Sequence, residues 1–71
     1  MKLREPQLFT KFKEKCPEKL GEGYSATFKR WRGDKNGLKV KINDRKAYIF
    51  IYRADDDWEL REIPVGRFDF A

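Results

Sequence analysis

The chain has no histidine and a single cysteine, Cys16. Without histidine there is no Ser-His or Cys-His pair and no imidazole to bind a metal. One thiol forms no intrachain disulfide and cannot by itself supply a zinc site of several thiolates. A chain without disulfides suits a reducing compartment, so a cytoplasmic location is expected. No apolar run is long enough to cross a bilayer, and the N-terminus lacks the apolar core of a secretory signal. A membrane is therefore not expected among the partners. Gly21-Glu22-Gly23 lacks the Gly-Lys-Ser/Thr ending of a phosphate loop. Asp55, Asp56 and Asp57, with Glu59 and Glu62 nearby, do not have the spacing of a calcium loop and read as a solvated turn. With no catalytic set in sight, neither enzymatic activity nor a metal or cofactor is expected.

What the chain does have is charge and aromatic rings. Charged residues make up 41% of the 71 and aromatic residues 15%, with a net charge of +5. That many rings can supply a core even in a chain this short, and argue against disorder. The charge is polarised. Residues 1–46 hold 14 Lys and Arg against 6 Asp and Glu, whereas residues 47–71 hold 3 against 6. The basic part suits phosphate backbones or an acidic protein surface. There is no repeat, low-complexity tract or linker. A single small domain is expected over residues 1–71, with a helix and connector in 1–23 and a β-meander in 24–71.

Leu8, Phe9, Phe12, Cys16 and Leu20 recur near a period of 3.6 and predict one apolar stripe on a helix. Pro6 suits its first turn, and Pro17 stops it near Lys15. From Tyr24 the period changes to two. Tyr24–Arg32, Leu38–Asn43, Lys46–Arg53 and Trp58–Ile63 read as antiparallel strands, the third apolar on both sides and so central. Asn36-Gly37, Asp44-Arg45 and Asp55-Asp56 read as the turns between them, and Pro64 ends the fourth strand. Residues 65–70 read as a short fifth strand or an extended tail, with Phe68 and Phe70 on one side. The fold class predicted is α+β: an N-terminal helix packed on an antiparallel meander of four to five strands, open or partly closed into a small barrel.

Turn length then decides which residues share a face. Two-residue turns would place Trp31, Leu38, Val40, Ile42, Ala47, Ile49, Ile51, Trp58 and Leu60 together under the helix. The other face would hold Phe28, Arg30, Arg32, Lys39, Lys41, Tyr48, Phe50, Tyr52, Glu59 and Arg61. A bulged three-residue first turn would instead bury Arg30 and Arg32, at a cost of several kcal/mol for unpaired guanidinium groups.

The mixed face is the expected binding surface. Cationic side chains that track phosphates and rings that stack on bases are the means of binding single-stranded nucleic acid. Arg30, Arg32, Lys39, Lys41 and Lys46 are the expected phosphate contacts, and Tyr48, Phe50 and Tyr52 the stacking rings. Those three rings serve equally as a second core, and their exposure decides between the two. The function expected is thus a small basic module for DNA or RNA. The alternative is a protein-binding inhibitor or adaptor anchored by an edge strand, Trp31 or Trp58.

Overall fold

The structure, a computed structural model, describes residues 3–69. Helix α1 spans Glu5–Lys15 and is followed by a 3-10 turn, Pro17–Lys19. Strands β1 (Ala26–Trp31), β2 (Gly37–Ile42), β3 (Lys46–Ala54) and β4 (Asp57–Ile63) form one antiparallel sheet in the order β1-β2-β3-β4. The sheet stays open: β1 and β4 are its two edges and do not meet. The arrangement is α+β, one N-terminal helix on one face of a four-stranded sheet. Among the described residues no helix is long and apolar enough to cross a membrane.

The helix begins where its sequence says. Pro6 lies in the first turn, and the Gln7 side chain accepts a 2.8 Å hydrogen bond from the Arg4 N–H. Glu5 opens the helix while Lys13 and Lys15 close it, which complements its dipole. Leu8, Phe12 and Cys16 are buried along its inner stripe, with Phe9 and Leu20 half-buried beside them. Burial pushes the Cys16 thiol above its ordinary pKa, as befits a small core residue.

Residues 65–69 do not form a fifth strand. Val65–Arg67 is a 3-10 turn, closed by hydrogen bonds from Arg67 N–H to Pro64 C=O and from Phe68 N–H to Val65 C=O. Phe70 lies outside the described residues.

The first two turns are longer than two residues and a register shift precedes the third, and this rearranges the faces. Trp31 pairs with Gly37, so five residues make the first turn. The Asp34 side chain accepts from Asn36 N–H, and the Asp34 carbonyl accepts from Gly37 N–H. Ile42 pairs with Lys46, so the second turn has three residues. Asn43 and Asp44 occupy the left-handed region there, at φ 54° and 55°. These are residue types that tolerate it through local side-chain bonds. Asn43 also accepts from Ser25 N–H through its side chain and donates its own N–H to Ser25 C=O, prolonging the ladder with β1. At the third turn Ala54 pairs with Asp57, so Asp55-Asp56 is the two-residue turn expected, and a register shift between Tyr52 and Ala54 sets Tyr52 opposite Trp58.

Each of the two odd-length turns, and the register shift beside the third, inverts the next strand relative to the two-residue expectation. Two inversions cancel, so β2 and β4 keep Leu38, Val40, Ile42, Trp58 and Leu60 together. Around them Phe28, Arg30, Tyr48, Phe50 and Tyr52 come in under the helix, and Trp31, Ala47, Ile49 and Ile51 move to the open face. The core is therefore rich in rings. Phe12 meets Phe50 edge-on at 5.7 Å and Tyr48 at 6.4 Å, and Phe9 stacks on Phe28 at 4.6 Å. Such pairs add about 0.5–1.5 kcal/mol each beyond their burial.

Candidate nucleic-acid interface

Register pairs set out the open face as three rows across the four strands. They read Trp31-Gly37-Ile51-Glu59, Lys29-Lys39-Ile49-Arg61 and Thr27-Lys41-Ala47-Ile63. Four cationic side chains stand in this grid against one carboxylate, Glu59. After β4 the chain turns at Pro64 and brings Phe68 back over the basic side. The Phe68 ring lies 5.1, 5.8 and 5.0 Å from the ammonium groups of Lys29, Lys39 and Lys41. Cation–π attraction holds each ammonium near the ring while the ammonium groups repel one another.

The three lysines differ in access. Lys29 and Lys41 are partly exposed, and Lys41 lies 3.5 Å from the Asp44 carboxylate. Lys39 is only 3% exposed, and burial followed by the charge of Lys29 pulls its pKa below the ordinary value, with Asp69 acting in the opposite sense. Lys39 thus contributes field more than contact.

Trp31 occupies the row beside them. Its indole lies across the first turn: a Cβ on Gly33 would come within 2.3 Å of the ring and one on Gly37 within 2.6 Å. Gly37 therefore serves close approach rather than positive φ. Trp31 is half-buried, and Arg32 beside it is exposed.

The residues singled out from the sequence divide between the faces. Lys39 and Lys41 are on the open face, and Arg32 lies in the first turn, outside the strands. Arg30 is on the helix side of the edge strand. Its guanidinium donates to the carbonyls of Leu3 and Lys35 and sits 3.9 Å from Glu5, so it ties three segments together. This is why the register that brings Arg30 under the helix is tolerated: the charge is partnered and the side chain keeps 24% of its exposure. Lys46 is also on the helix side, 3.2 Å from Glu62 at the sheet's margin.

Tyr48 and Phe50 belong to the core, at 6% and 0% exposure, and are closed to base stacking. Tyr52 is half-buried. Its hydroxyl donates to Asp55 at 2.7 Å, and Lys11 stands 5.3 Å over its ring. The sequence does not single out Lys29, and it offers Phe68 only as one side of a short strand or tail. Lys29 shares its parity with Lys39 and Lys41, a signal visible once the first turn is counted as odd; the return of Phe68 has no such signal.

Among the described residues no group of three His, Cys, Asp or Glu side chains is placed to hold a metal ion. Comparison with protein-family models, curated proteins and solved structures found no match to this chain.

Proposed function

We propose that this chain is a non-enzymatic nucleic-acid-binding module whose contact surface is the open face of the sheet. The observation that carries this reading is the gathering of Lys29, Lys39 and Lys41 around one ring on the face opposite the helix. Clustered ammonium groups raise the local potential, and a phosphate backbone is the polyanion that relieves it. Lys29, Lys41 and Arg61 are the direct phosphate contacts, with Arg32 at the rim. Trp31 takes the stacking role that Tyr48 and Phe50 cannot fill. Its indole rests on the glycine turn and remains half-exposed.

Fluorescence anisotropy with labelled single- and double-stranded oligonucleotides tests this. Binding at low salt is expected, with log affinity falling linearly in log salt. Three neutralised phosphates give a slope of about −2 on a single strand. Lys29→Glu with Lys41→Glu should abolish binding. An absence of binding to either form at low salt would sink the proposal. A pull-down that survives nuclease treatment would then favour the inhibitor or adaptor reading.

A further inference from the structure

Of the two edge strands, β4 is the one whose charges complement themselves. β1 carries Lys29 and Arg30 with no carboxylate, whereas β4 reads Asp57-Trp58-Glu59-Leu60-Arg61-Glu62-Ile63. Helix α1 packs mainly on β1, β2 and β3, which leaves Trp58 and Leu60 half-exposed beside it. As the last strand in the sheet order, β4 also presents one side of its backbone ladder without a partner strand among the described residues. An edge of this kind is a template for another strand.

We propose that two copies of this chain associate through β4, by antiparallel pairing about a two-fold axis at Leu60. Only registers centred on a residue keep the two faces of the sheet continuous, because opposed residues must share a face. Centring on Glu59 opposes that carboxylate to itself, and centring on Arg61 opposes two guanidinium groups. Centring on Leu60 overlaps the whole strand and sets Glu59 against Arg61 twice. It also faces Leu60 with Leu60, covering apolar surface that the helix leaves open. Opposite charges on directly opposed strand positions are favourable and like charges are not.

Glu59 already contacts Arg53 at 2.6 Å and Arg61 at 3.1 Å within the chain. These side chains are 40–55% exposed, so the pairs contribute little and can exchange partners. A two-fold axis perpendicular to the sheet puts both open faces on the same side. The two Lys39 strands are then five strand spacings apart, or about 24 Å. One seven-residue edge falls below the area of a standard interface, so the association is weak and depends on concentration.

Sedimentation of the intact chain over a dilution series tests this, without any nucleic acid. The mass should rise from that of one chain towards that of two as concentration increases. Glu59→Lys places a cation opposite Arg61 at both ends and should return the mass to one chain. Combining it with Arg61→Glu swaps the charges and should restore the dimer, with circular dichroism unchanged in both variants. A single-chain mass for the unmodified protein at every concentration would overturn the proposal. So would a dimer indifferent to Glu59→Lys, or a charge swap that fails to restore it.

Discussion

The two faces of this sheet surround their aromatic residues differently. Under the helix, Phe12, Phe28, Tyr48 and Phe50 pack against one another and against Leu38 and Val40. On the open face, Phe68 sits among three ammonium groups and Trp31 lies on a turn. The first arrangement removes apolar area from water and supplies stability. The second also removes apolar area from water, since Phe68 is 3% exposed and Ala47 and Ile51 are buried on the same face, but it gathers like charges around the ring and concentrates potential there. A short chain can keep both because one helix covers one face and the return of Phe68 covers part of the other.

Substitutions on the two faces should therefore read out differently. Phe50→Ala empties a fully buried site and should cost about 3–5 kcal/mol by denaturant unfolding. For a domain of this size that is a large share of its total stability, typically about 5–15 kcal/mol for native proteins. Gly33→Ala drives a Cβ into the Trp31 indole and should cost about 1–3 kcal/mol, with a shift in tryptophan emission. Lys29→Gln with Lys41→Gln should leave unfolding within about 0.5 kcal/mol of the unmodified chain. The same pair should flatten the salt slope of single-strand binding by roughly 1.4, at about 0.7 per lost phosphate contact.

The smallest effect is one of pH. The Tyr52 hydroxyl, then Lys15 and Lys11, hold the Asp55 carboxyl below its ordinary pKa. The folded chain keeps this group ionised more readily than the unfolded chain does. Its contribution is complete above a pH of about 4 and is lost as pH falls through the depressed value. Asp55→Asn should make the acid limb of the stability curve shallower, and a thermal melt series in pH checks it.

Much of the fold was legible. The 3.6-residue stripe from Leu8 to Cys16 and the alternation Leu38, Val40, Ile42 each marked one buried side, and Pro17 and Pro64 marked ends. Face assignment was less accessible, because a one-residue difference in a turn inverts a whole strand. Asn43 reads as the end of β2, yet its left-handed backbone makes it the first residue of the turn. Asn36-Gly37 reads as a two-residue turn, yet Gly37 is in the ladder and Asp34 organises the turn. The objection to placing Arg30 under the helix assumed an unpaired guanidinium. Carbonyls from Leu3 and Lys35 partner it, and they are remote or irregular in sequence. Of the surface itself, Lys39 and Lys41 were legible as cations on one strand face. Lys29 and Trp31 depended on the turn.

An NMR titration of the isotope-labelled chain with a short single-stranded oligonucleotide tests the central claim most directly. The account predicts shifts at Lys29, Lys41, Arg61 and the Trp31 indole N–H, with Tyr48 and Phe50 unmoved. Shifts confined to the outer side of α1, or none at saturating oligonucleotide, would contradict it.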